Sequence, residues 1–276
     1  MRKVYTRKLH LPKEVREFIA SSEVTTARQL SKHFGFSEIT AMNYLSRAKK
    51  LELGTRVAPK MLMKARHEYP EFSKEKKRVY DAIREDMPFV PLTIWSTFDL
   101  NKYAHNIIMR GVVFVETEGF AVEAVKDTLL SNGVKAISVK SKENFSNIFD
   151  LMETPVLVMG RKDKAGTNAD KKDRYLSLPS FERIFIDVYF LNTRKNLSLP
   201  LSELGNILVN ISAFGYSLNY SLLNWVAMRR NVLAEIETAL YLFKKKSSRF
   251  ASIPEKFARK RQLSKKQLNF VMQMVG

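Results

Sequence analysis

The sequence predicts an α+β protein: an amino-terminal winged helix-turn-helix, then a mixed α/β domain with a helical second half. Three observations carry this. Residues 11–65 hold three short amphipathic stretches followed by two strand-like runs around Ala58-Pro59-Lys60. From Phe89 onward, strand and helix patterns alternate. After Pro179 the apolar residues recur at helical spacing.

In the first segment, Pro12 suits the first turn of a helix, and Val15, Phe18 and Ile19 share one face. Thr26 and Gln29 form a capping-box pair opening a second helix to Phe34, with Ala27, Leu30 and Phe34 at helical spacing. Gly35 supplies the left-handed residue of a tight turn. Ser37 caps a third helix that runs to about Leu51 and stops by Gly54.

That third helix has two faces. Ala41, Leu45 and Ala48, with Tyr44 beside them, point inward. Thr40, Asn43 and Arg47 point outward, with Ser37 and Glu38 at the leading end. Hydroxyl, amide and guanidinium groups are the types that read base edges, and the first turns of a recognition helix reach them. Lys49 and Lys50 then suit phosphates. Thr55-Arg56-Val57 and Met61-Leu62-Met63-Lys64 read as a wing offering Arg56, Lys60 and Lys64 to the backbone. A small helical bundle with a merely solvated outer face is the competing reading.

Charge favours the first reading. The 276 residues carry 47 Lys/Arg and 28 Asp/Glu, a formal +19. Residues 1–66 hold 15 basic and 5 acidic side chains, and residues 241–276 hold 10 and 1. The stretch between them is close to neutral. A basic surface kept for solubility would spread the excess; two basic ends suit a polyanionic partner.

The expected division is a winged domain over 1–66, a charged linking helix over 67–90, an α/β effector domain over 91–243, and a basic tail with an amphipathic helix over 244–276. Val79, Tyr80 and Ile83 give the linking helix one narrow apolar stripe. Val112 to Val115 is the first clear strand. Phe120 to Leu130 is helical, with Phe120, Ala124 and Val125 on one face and Asn132-Gly133 as its end. Val134–Val139 and Val156–Met159 read as further strands, with a short helix around Phe145 to Leu151 between them. Helices joining neighbouring strands predict a partly parallel sheet. Residues 161–174 read as an exposed, solvated loop. Ser180 opens a long helix, and Leu201–Ile211, Tyr220–Met228 and Val232–Phe243 are three more.

Several chemistries find no support. With no cysteine, disulfide scaffolds, zinc fingers and thiol catalysis are excluded. No phosphate-binding glycine loop follows the first strand, and no glycine-flanked serine is present. Asp99 with Glu116 and Glu118 would suit a metal-dependent nuclease, but no lysine lies at Glu118 or immediately after it, and acids at alternate strand positions more often form a polar edge or pair with nearby Arg110. The expectation is a non-enzyme without cofactor or metal. No apolar run approaches the ~20 residues of a membrane span, and Met1 to Lys8 does not read as a secretory leader. A cytoplasmic location is expected.

The winged start, the strand-rich middle, Pro179-Ser180-Phe181-Glu182-Arg183-Ile184-Phe185-Ile186-Asp187 and Trp225-Val226-Ala227-Met228-Arg229-Arg230 together resemble the AbiEi family, antitoxins of AbiE-type (type IV) abortive-infection systems. The likeness spans roughly residues 10–245, with Ile184-Phe185-Ile186 where the pattern more often has leucine and valine. It implies an autorepressor that binds its own promoter as double-stranded DNA. It also implies a carboxy-terminal domain that counters a nucleotidyltransferase-like toxin without a stable complex. Arg229 and Arg230 are candidate anchors for an acidic partner or phosphate. Two other readings are a nuclease or nucleotidyl-transferring enzyme, and a plain winged-helix regulator whose second domain senses a ligand or dimerises. No oligomeric state follows from the residues. In the tail, Ser264 caps a last helix carrying Leu268, Val271, Met272 and Val275, expected to dock while the basic residues meet phosphates.

Overall fold

The computed structural model describes residues 11–276 apart from 23, 52, 59, 65–71, 105–110, 140–144, 146–153, 162, 171, 198, 214–217, 248–249 and 251–252. It divides into two compact units, Met1–His67 with Ile211–Ser221, and Glu68–Asn210 with Leu222–Gly276.

The amino-terminal unit runs α1 (Lys13–Ser21), β1 (Val24–Thr26), α2 (Ala27–Phe34), α3 (Glu38–Lys50), β2 (Gly54–Ala58) and β3 (Met61–Lys64). Local chemistry sets the helix ends. Thr26 and Gln29 close a reciprocal capping box on α2. Gly35 holds φ +71°, a conformation that would strain a residue with a Cβ, and turns the chain into α3. Val15, Ile19, Ala27, Leu30, Ala41, Leu45 and Ala48 bury the inner faces, and Leu62 of β3 closes the core from below. β1 is a strand the sequence does not announce. It pairs antiparallel with β3, Thr25 opposite Leu62, and makes the sheet three-stranded in the order β1-β3-β2. The order helix, strand, helix, helix, strand, strand is that of a winged helix-turn-helix.

The second unit holds a six-stranded mixed sheet, order β6-β7-β5-β4-β9-β8. Its strands are β4 (Leu92–Ser96), β5 (Val113–Thr117), β6 (Ala136–Val139), β7 (Val156–Gly160), β8 (Thr167–Ala169) and β9 (Leu176–Pro179). β5, β7 and β6 run parallel, joined through α5 (Val122–Ser131), as the crossover reading requires. β4 is antiparallel to β5 and parallel to β9. Strands β4 and β5 are buried along their whole length, so both faces of the sheet are covered.

One face carries Leu92, Ile94, Val113, Val115, Val156 and Val158 against α4 (Lys74–Asp86) and α5. The helix expected as a linker therefore has Val79 and Ile83 of its stripe inside the core, joined by Ala82, while Tyr80 is partly buried against it. Its Lys76 is buried too, paired with Asp99 at 2.5 Å. In α5 the inward face is Val125 and Leu129, with Ala121 just before it. Phe120 is instead 87% exposed, because it precedes the helix in a 3-10 turn, Gly119–Ala121, and so escapes the helical spacing.

The opposite sheet face presents Trp95, stacked on Phe114 at 4.0 Å between ring centres, and Glu116. Above it lies α6 (Phe181–Lys195), capped by Ser180 and buried nearly all round, charged residues included. The helical half continues with α7 (Leu201–Ala213), α8 (Tyr220–Arg229), α9 (Leu233–Lys246) and α10 (Lys265–Val275). The short helix expected around residues 145–151 lies outside the described residues, apart from Phe145.

Candidate nucleic-acid interface

Ser37 sits before α3 in extended backbone, and its Oγ accepts from the Thr40 amide at 3.2 Å. Thr40 Oγ1 lies 2.9 Å from the same oxygen, so both hydroxyls stand at the leading end of the helix as a capping pair. Asn43 and Arg47 are exposed, whereas Ala41, Leu45 and Ala48 are fully buried. The two-faced reading of α3 is reproduced in its burial. The guanidinium of Arg47 lies 5.6 Å from the Tyr44 ring centre, which orients a long side chain along the helix.

Ile39 belongs to this face and was not singled out from sequence. It is 74% exposed and shares the i, i+4, i+8 spacing with Asn43 and Arg47. An apolar residue left bare on the outward side of a first turn suits contact with a thymine methyl group. The signal available was that spacing.

Glu38 pairs with Lys60 at the wing turn, 3.0 Å apart and with both side chains about half exposed. An ion pair this open is worth about 0–1 kcal/mol, so Lys60 can exchange it for a phosphate at little cost. Lys49 and Lys50 are exposed in the last turn, where cations also complement the helix dipole. Arg56 and Lys64 lie in β2 and β3; their side chains are outside the described residues.

Arg229 and Arg230, proposed together from sequence, part company. Arg229 is exposed, 5.9 Å from the ring centre of the half-exposed Trp225. Arg230 turns into the second unit, donating to both oxygens of Asp187 and to Asp163 Oδ2 at 2.9 Å. It is spoken for by that network and unsuited to anchoring a partner.

The network is built around Arg183, which has no solvent exposure. Its guanidinium donates to Glu116 at 2.7 Å, to Asp187 at 3.0 Å and to the Ala165 carbonyl at 2.8 Å. Glu116 also accepts from Trp95 Nε1 at 2.9 Å. Burial pushes the Glu116 carboxyl above the usual carboxylate range, against the pull of Arg183. Arg110, which sequence offers as a partner for these acids, lies outside the described residues; Arg183 reaches Glu116 from a helix 67 residues further along the chain. Residues 161–174 keep the exposed side chains expected of them at Lys164, Asn168, Ala169, Lys172 and Arg174, but they are more than a loop. They hold β8, and Asp163 and Asp173 receive Arg230 and Arg84 respectively.

The second unit is thus a sheet-and-helix domain cross-braced by buried charge, and the first is a winged helix. A model for a family of unknown function, DUF6577, matches residues 42–246, and the chain belongs to that family. The match begins inside α3, so Ser37, Glu38, Ile39 and Thr40 precede it. Searches of curated proteins and of solved structures returned no match.

Proposed function

We propose that this chain is a DNA-binding transcriptional repressor acting on its own promoter. The observation that carries the reading is the outward face of α3 in a winged helix: Ile39, Asn43 and Arg47 in line, with capping hydroxyls ahead and lysines behind. The concentration of positive charge at the two ends of the chain supports it. Fluorescence anisotropy with duplexes from the region upstream of the gene, against random duplexes, tests it. Asn43→Ala or Arg47→Ala should reduce discrimination between the two by about 1–3 kcal/mol while leaving weak general binding. Equal affinity of the parent protein for both duplexes at low salt overturns the reading.

The resemblance of residues 179–187 and 225–230 to the AbiEi antitoxins supports a second activity for the same protein, countering a nucleotidyltransferase-like toxin without forming a stable complex. Growth rescue on co-expression with such a toxin, both from heterologous promoters, is the measurement; rescue should survive Arg47→Ala. Rescue that disappears once transcriptional control is removed leaves a plain regulator.

A nuclease reading has less behind it. The Glu116 carboxylate is occupied by Arg183 and Trp95, and among the described residues no three His, Asp or Glu side chains are placed to hold a metal ion.

A further inference from the structure

Between the Trp95 face of the sheet and α6 lies a cavity of about 330 Å³, wholly within the second unit. Its size is at the small end for pockets that take organic molecules. Trp95, Phe145, Phe190 and Leu191 give it a largely apolar wall. The charged residues on that wall are Glu116, Arg161, Asp187, Lys195 and Arg230.

These charges are unequally satisfied. Glu116, Asp187 and Arg230 belong to the network around Arg183 and Asp163. Arg161 stands outside it. Nη2 of Arg161 donates to Thr93 Oγ1 at 2.7 Å, but its Nε is buried without a hydrogen-bond partner. Among the described residues no carboxylate forms an ion pair with it. Burial accordingly holds its guanidinium below its ordinary pKa. A buried donor left unmade is costly, more so on a charged group, and is a place where a ligand gains.

A single carboxylate accepts from the donor that Arg161 Nε leaves open and gives the guanidinium an ion-pair partner.

We propose that this cavity binds a small organic monocarboxylate, its carboxylate received by Arg161 and its aromatic or aliphatic body held against Trp95, Phe145, Phe190 and Leu191. The volume suits roughly a dozen non-hydrogen atoms. The inference concerns binding in the second unit and does not rest on the DNA reading; it stands or falls without any DNA measurement.

Isothermal titration calorimetry on the full chain, with octanoate and 4-phenylbutyrate as probes and their primary amides as neutral controls, decides it. The acids should bind saturably at one site, at least about tenfold more tightly than the amides. Arg161→Gln should bring the acids down to the level of the amides, and Leu191→Trp, which fills the space, should remove both. Circular dichroism and thermal melting establish that the variants fold. Three results overturn the proposal: no saturable binding of either acid to the unaltered chain, equal binding of acids and amides, or undiminished acid binding by folded Arg161→Gln. If either variant fails to fold, the comparison of acids with amides on the unaltered chain still decides.

Discussion

Arg183 joins three stretches of the second unit: β5 through Glu116, the turn after β7 through Asp163 and Ala165, and its own helix through Asp187. Buried ion pairs seldom add net stability, because desolvating the ions offsets their attraction. Breaking one is another matter, since the partners remain buried and uncompensated. Arg183→Met should therefore lower unfolding stability by about 3–5 kcal/mol in urea titrations. Arg183→Lys should recover little, because one ammonium cannot reproduce a fork that addresses three carboxylates and two carbonyls.

The carboxylates at the ends of such networks make a pH prediction. At Asp163 burial alone would raise the pKa, but the Ala165 amide with Arg230 and Arg183 outweighs it and holds the group below its usual value. Asp173 is lowered in the same way: burial opposes, and the Tyr175 amide, Arg84 and Tyr80 prevail. A carboxyl whose folded pKa is depressed binds fewer protons folded than unfolded. Its contribution is present above the unfolded pKa, about 3.9, and is lost as pH falls below it. Stability should therefore drop on acidification through that range. Asp163→Asn and Asp173→Asn should each flatten the drop, as measured by melting temperature against pH.

Among the elements, α10 shows how a local signal and a tertiary contact divide the work. Ser264 and Gln267 close a capping box that starts the helix. Val271, Met274 and Val275 then bury its inner side, while Leu268 and Met272, placed with them from sequence, are about half exposed. Docking needs Gly205 of α7: a Cβ there would stand 1.8 Å from the Met274 carbonyl oxygen. Gly205→Ala should lift the carboxy-terminal helix, and amide hydrogen exchange of residues 265–275 should lose protection while the sheet keeps its own. Unchanged protection would mean the helix can slide to make room.

Over the whole molecule, the two basic ends are not equivalent. In the amino-terminal unit Lys49, Lys50 and Lys60 are exposed, and Lys60 makes a weak surface pair with Glu38. In the tail several cations serve the fold. Lys244 donates to the Ile253 carbonyl, Lys246 to the last carbonyls of α10, and Arg261 pairs with Glu237. The formal +19 therefore overstates the charge available to a phosphate polymer. DNA affinity should fall steeply with salt, and Lys60→Gln should reduce the slope of log affinity against log salt by about 1 for all sequences. A tail substitution such as Arg261→Gln should lower thermal stability more than it alters that slope. No helix among the described residues is long and apolar enough to cross a membrane.

Much of the amino-terminal unit was legible because its signals are short-range. Caps act over three residues, Gly35 acts on its own backbone, and the inner face of α3 repeats within two turns. The same holds for the ends of α5 and α6, set by Asn132-Gly133 and by Ser180. What the residues determined by themselves is therefore the order of elements and the face each helix turns inward, since these follow from backbone geometry and the spacing of apolar side chains. The tertiary structure alone decided which distant segments meet: β1 against β3, α4 inside the core, Arg183 with Glu116 and Asp163, and the cavity with its unmatched Arg161. A buried charge is tolerable only where the folded chain brings it a partner, and no local pattern records which partner that is.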